Sequence, residues 1–125
     1  MDKKKILIID DEENFCNLVK KNVEMTGEFE VRAATDGDEG IKLIREIKPD
    51  LILLDIIMPG LDGGDVVSLI RSDESIKDTP IVFLTSLVRK DEAGPQAGFT
   101  KGYSLLAKTV TVGELIACIK ENIKG

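Results

Sequence analysis

At 125 residues with 42% hydrophobic content, the chain has enough apolar material for one domain with a real core and too little length for two. Its formal net charge of -6 sets most of the surface against a nucleic-acid backbone or an anionic membrane. No apolar stretch approaches membrane-spanning length, and Met1 is followed by charges and not by a signal-peptide core, so a cytoplasmic protein is expected.

Lys3-Lys4-Lys5 reads as a solubilising flank ahead of the first strand. Ile6-Leu7-Ile8-Ile9, Leu51-Ile52-Leu53-Leu54 and Ile81-Val82-Phe83-Leu84 are near-continuous apolar runs without polar alternation, the pattern of strands buried on both faces of a parallel sheet. Strands are expected near 4–10, 29–34, 50–55, 80–85 and 104–108. Between the first two, Phe15, Leu18, Val19 and Val23 recur at helical spacing, and Gly27 closes that helix. After Asp36-Gly37, a helix start, Ile41, Ile44 and Ile47 form one stripe, ended at Lys48-Pro49 because the residue before proline avoids helical angles. A third helix begins near Asp62 and carries Val66, Leu69 and Ile70. Residues 86–103 read poorly: Gly94-Pro95 interrupts a helical start, and proline inside a helix costs roughly 3 kcal/mol, so a short or irregular fourth helix is expected. Thr111 and Glu114 form a capping box ahead of Val112, Leu115, Ile116, Ile119 and Ile123. This alternation predicts an α/β fold with a doubly wound parallel sheet. Cys16 and Cys118 lack metal or redox spacing and no histidine joins them, so they read as small hydrophobes on helix faces, kept reduced.

The chemistry gathers at the strand ends. The first run leads into Asp10-Asp11, the second into Asp55, the third into Thr85, and Leu105-Leu106-Ala107 into Lys108. In open parallel sheets the ligand sits beyond the carboxyl ends of the strands, where strand order reverses. Asp10, Asp11 and Asp55 would repel one another there, so a cation is expected among them. Mg2+ suits hard oxygen ligands supplied by carboxylates and phosphate; without histidine or a cysteine cluster Zn2+ does not. A cation between carboxylate and phosphate would let one carboxylate attack phosphorus to give an acyl phosphate. Thr85 could hydrogen-bond one phosphoryl oxygen and Lys108 neutralise another.

Taken together, Asp10-Asp11-Glu12, Asp36-Gly37, the segment Asp55-Ile-Ile-Met58-Pro59-Gly-Leu-Asp62-Gly63, Thr85-Ser86 and Lys108 resemble the receiver domain of two-component response regulators across essentially the whole chain. The resemblance implies one receiver domain over 1–125, with no output domain, and a flavodoxin-like, five-stranded (βα)5 sheet in the order 2-1-3-4-5. It implies Asp55 as phosphoacceptor, Asp11 as a direct Mg2+ ligand, Asp10 acting largely through metal-bound water, and the backbone carbonyl of Ile57 as a further ligand. Thr85 resembles the hydroxyl that moves toward the phosphate, and Lys108 its ion-pair partner. A sensor histidine kinase or a histidine phosphotransfer protein would be the donor, and a downstream protein or output domain the target. Direct contact with nucleic acid or membrane is not expected. The chain would then be a switch, not an enzyme, reset by slow loss of its phosphoryl group to water. Ile57 and Leu87 fall where receivers flank the path of that water, and Phe15 and Leu18 where they meet the phosphodonor.

Two positions depart from the family pattern. Thr109 stands where proline usually follows the lysine, and the usual switch aromatic falls at Leu105. Tyr103, two residues earlier and on the same strand face by parity, is a candidate displaced substitute. The family's lysine-proline bond is typically cis; before threonine the cis form costs about 2.5 to 4 kcal/mol, so a trans Lys108–Thr109 bond is expected. Two other classes share such a sheet. A Mg2+-dependent aspartyl-nucleophile phosphohydrolase similar to the haloacid dehalogenases would carry Asp-x-Asp and a capping insertion, whereas Asp55 is followed by Ile-Ile-Met58-Pro59. A flavin-binding flavodoxin would want a Ser/Thr/Gly-rich loop, where this chain has Asp10-Asp11-Glu12-Glu13.

Overall fold

The computed structural model describes residues 3–86 and 102–123. Its strands are β1 (Lys4–Ile9), β2 (Phe29–Ala34), β3 (Leu51–Asp55), β4 (Ile81–Thr85) and β5 (Ser104–Ala107). They form one sheet in the order β2-β1-β3-β4-β5, with every neighbouring pair parallel. The described helices are α1 (Glu13–Glu24), α2 (Gly37–Ile47), α3 (Gly63–Arg71) and α4 (Val112–Asn122). The doubly wound fold and its strand order are therefore as expected. The short or irregular helix anticipated between β4 and β5 falls on residues 87–101, outside the described residues.

Successive strand side chains point to opposite faces, and the apolar runs consequently feed two cores. Ile6, Ile8, Leu51, Leu53, Val82 and Leu84 pack with Cys16, Val19 and Val23 of α1 and Leu115 and Ile119 of α4. On the other face Leu7, Ile9, Ile52, Leu54 and Phe83 pack with Ile41 and Ile44 of α2 and Val66 and Ile70 of α3. Burying each such side chain contributes about 1.5–3 kcal/mol relative to exposure, which is why the strand runs cannot slip register by one residue.

Local signals set the helix ends. Asp36 accepts from the Glu39 amide at the start of α2, and Asp62/Asp65 and Thr111/Glu114 form capping boxes at α3 and α4. The chain leaves α2 at Lys48 as expected, but through a left-handed residue (φ 47°) and not an extended one; its amide still donates to Ile44 O. Three positions of the expected apolar helix stripes are exposed, Leu18 of α1 among them. Leu69 lies one step of the helix round from the buried Val66 and Ile70, and Val112 occupies the first turn of α4.

Sheet order places β1 between β2 and β3. The chain turns one way from β1 to reach β2 and the other way to reach β3, so the carboxyl ends of β1 and β3 flank the point where winding reverses.

Candidate functional site

At that point stand three carboxylates. Asp10 follows β1 directly, Asp11 comes next, and Asp55 is the last residue of β3. One carboxylate oxygen from each lies within 4.8 Å of the others. Asp10 is fully buried, Asp55 nearly so, and Asp11 is exposed. Asp10 is held by its amide donating to Ala34 O and by its Oδ1 accepting from the Glu12 amide at 2.9 Å.

Lys108 reaches this group from beyond β5. Its amide donates to Thr85 O at 2.9 Å, extending the β4–β5 ladder past the strand and fixing where the side chain begins. Its ammonium lies 2.7 Å from Asp10 Oδ2, against Glu12 Oε1, and 3.6 Å from Asp55 Oδ2, with the Phe15 ring centroid 5.1 Å away. Asp10 Oδ2 has no aligned hydrogen bond, so the Lys108 contact holds it by charge. Thr85 closes β4, one residue beyond the one paired with Asp55, and is half-buried. Ile57 lies two residues past Asp55 with its side chain exposed.

The electrostatics follow from this crowding. Burial, and then the negative charge of Asp10, push the Asp55 carboxyl up to about 7; Lys108 partly offsets them and Asp11 adds to them. Burial alone would depress Lys108, but its contacts with Asp10 and Glu12 and the charge of Asp55 outweigh it and hold the ammonium above the ordinary lysine range. Cys16, whose thiol donates to Asp10 O at 3.3 Å, is pushed up to about 12 by burial and then by Asp10. It is a buried hydrophobe there, as its sequence context suggested.

Clustered carboxylates with one buried oxygen lacking an aligned donor fit a hard divalent cation. Asp10, Asp11 and Asp55 are the residues that could hold it. The sequence had gathered all of these residues at one edge, and the structure brings them together there. What it missed is Glu12, whose side chain joins the pocket. The one available signal was a long acid at a helix start, where Ser, Thr, Asp or Asn is usual.

The departures resolve locally. The described residues contain no cis peptide bond, so Lys108–Thr109 is trans, as expected. Tyr103 is not placed to act at Thr85. Its hydroxyl accepts from Arg71 Nε at 2.9 Å, its ring packs edge-on against Phe83, and the Arg71 guanidinium lies over it. Thr85 pairs with Ala107, four residues further on, about 13 Å along a strand at roughly 3.3 Å per residue. Leu105 is half-exposed. A cavity of about 470 Å³ beside Arg71, Thr79, Tyr103 and Asn122 lies toward the other end of the sheet. Of its two cations, Arg71 is committed to Tyr103 and to the carbonyls of Lys77 and Thr79, and Lys77 is paired with Glu74, so the carboxylate edge remains the chemical site.

Fold and pocket together define a flavodoxin-like α/β domain with an acidic, lysine-paired site at its switch point. A family model described as the response regulator receiver domain matches residues 6–120, and the chain belongs to that family, the receiving module of two-component signalling. It is 38% identical over 117 residues to the DNA-binding dual master transcriptional regulator RpaA of Synechocystis sp., an overlap of 93% of this chain and 47% of RpaA. It is 43% identical over 89 residues to the alkaline phosphatase synthesis transcriptional regulatory protein PhoP of Bacillus subtilis, covering 71% of this chain and 35% of PhoP. The chain thus spans about half or less of the curated relatives it matches. Among solved structures, a putative response regulator from Chloroflexus aurantiacus superposes with a TM-score of 0.83 at 30% identity over 96% of this chain and 97% of that one. The chemotaxis protein CheY4 of Vibrio cholerae has a TM-score of 0.85 at 24% identity over 98% and 100%, a likeness of fold. No helix among the described residues is long and apolar enough to cross a membrane.

Proposed function

We propose that this receiver domain, comprising residues 1–125, accepts a phosphoryl group on Asp55 in a Mg2+-dependent reaction and so switches a downstream protein or output domain. The observation that carries the reading is the convergence of Asp10, Asp11 and Asp55 with Lys108 at the carboxyl edge of the sheet. Asp10, Asp11 and Asp55, with the Ile57 carbonyl, would hold Mg2+, which when bound neutralises charge between carboxylate and incoming phosphate.

The donor is the phosphohistidine of a sensor histidine kinase or a histidine phosphotransfer protein. An Asp55 oxygen bonds to phosphorus as the phosphorus–nitrogen bond breaks, and the imidazole leaves and takes up a proton. Lys108, close to Asp55, pairs with one phosphoryl oxygen, and the Thr85 hydroxyl bonds another. Phe15 and Leu18, beside Lys108 on a rim completed by Val110 and Val112, meet the donor; Leu18 is exposed and Phe15 half-buried, which supports that role. Slow hydrolysis resets the site, so the chain turns over no substrate of its own. It works in the cytoplasm through protein partners, and its net charge of -6 sets it against direct contact with nucleic acid or an anionic membrane.

Incubation with a small acyl phosphate and Mg2+ is expected to add one phosphoryl mass. The label is lost in Asp55→Ala and suppressed by chelator. Undiminished labelling in the variant, or stoichiometric labelling without metal, refutes the reading.

A further inference from the structure

Glu12 occupies the N-cap of α1, with φ -87° and ψ 94°, yet its side chain makes no capping hydrogen bond. A cap is the usual work of that position. The carboxylate instead contacts Lys108 Nζ, while the Glu12 amide donates to Asp10 Oδ1. The Lys108 ammonium therefore has three acidic neighbours held unequally: Glu12 and Asp10 in contact, Asp55 at 3.6 Å. Of these, Glu12 is the exposed one, with 59% of its side chain accessible against 0% for Asp10 and 9% for Asp55. It pulls the ammonium toward the solvent side of the pocket.

We propose that Glu12 is a positioning residue: it draws Lys108 toward the solvent side of the pocket, against itself and Asp10, and so holds the ammonium at 3.6 Å from Asp55 Oδ2, short of the closer approach that would crowd a divalent cation. An ammonium has three donors; Glu12 accepts one of them, and Asp10 holds the ammonium by charge. Without Glu12, the remaining acidic partners are the two buried ones, and attraction in a poorly solvated pocket draws Lys108 inward from 3.6 Å into contact with Asp55. There it competes with the cation and masks the acceptor oxygen. Reach matters as much as charge. Aspartate is one methylene shorter and better suited to cap the helix, so Asp at 12 keeps the negative charge and the fold while releasing Lys108. The inference rests on the reading of Asp55 as acceptor and of its neighbours as a Mg2+ site.

The test is Mg2+ titration of the full chain by calorimetry, with labelling of Asp55 by a small acyl phosphate at saturating Mg2+ as a second readout. Wild type, Glu12→Gln and Glu12→Asp are compared, and Glu12→Asp is repeated in a Lys108→Gln background. Both single variants are expected to bind Mg2+ about fivefold more weakly, the scale of one partly exposed ion pair, and to label more slowly. Glu12→Asp melts no lower than wild type. In the Lys108→Gln background Glu12→Asp changes Mg2+ affinity less than about twofold, because distant electrostatics alone remain. Wild-type Mg2+ affinity in Glu12→Asp, or an equal loss with and without Lys108, overturns the proposal: the first means that charge without reach suffices, the second that Glu12 acts on the cation directly. Failure of the wild type itself to bind Mg2+ or to take label at Asp55 overturns the acceptor reading, and the proposal falls with it.

Discussion

Gly63 tests how closely Asp55, the acceptor in the proposed function, depends on packing behind it. This first residue of α3 donates its amide to Ile56 O at 3.1 Å, and a Cβ built on it would sit 2.8 Å from Asp55 O and 3.0 Å from Ile56 O. Those are backbone atoms of the acceptor segment and cannot swing aside as a side-chain tip would. Gly63→Ala must therefore move α3 away from β3 or displace the Asp55–Ile56 peptide, at an overpacking cost of about 1–3 kcal/mol. Alanine's better helix propensity, at most about 1 kcal/mol and smaller in a first turn, offsets part of this. A net loss of about 1–2 kcal/mol lowers Tm by roughly 4–8 °C in a domain of this size. Displacement of the acceptor slows Asp55 labelling by about tenfold, since sub-ångström misplacement of a reacting group is costly. Gly27→Ala is the matched control. Gly27 has φ 78° with open space around it at the far end of α1, so alanine there costs about 1 kcal/mol of backbone strain without touching the site. Thermal melts and labelling rates are measured on both variants. If Gly63→Ala labels at the wild-type rate, or Gly27→Ala slows as much for a similar loss of Tm, the close approach does not set the acceptor geometry and the argument fails.

With metal removed by chelator, Asp55→Asn is expected to melt higher than wild type at pH 8. The folded carboxyl is pushed from 3.8 up to about 7, so wild type loses stability as pH rises through that window; the advantage shrinks toward pH 4, and a constant or reversed difference refutes the assignment. Ile57, exposed beside Asp55, is apolar and cannot orient water for attack on an acyl phosphate. Ile57→Asn or Ile57→Glu changes the lifetime of the label severalfold, measured as its decay after donor removal; indifference to both substitutions refutes the role.

Much of this molecule was legible in one dimension because its signals are local. Unbroken runs such as Leu51–Leu54 mark strands buried on both faces, and the Thr111/Glu114 pair marks the start of α4 within four residues. The strand ends then locate the pocket, since a parallel sheet collects its carboxyl termini at one edge, and Asp10, Asp11, Asp55, Thr85 and Lys108 follow from that. Tertiary structure decided what these residues do to one another. Periodicity cannot say that Leu69 and Val112 face outward, that Gly63 leans on the Asp55 carbonyl, or that Tyr103 is tied to Arg71, because each depends on the neighbour that packing supplies. Nor could it divide one ammonium among three acids. Lys108 meets Glu12 across 96 residues of chain, and which carboxylate holds it most closely is set by distances of about an ångström that only the assembled sheet fixes, the scale on which charges in a poorly solvated pocket are decided.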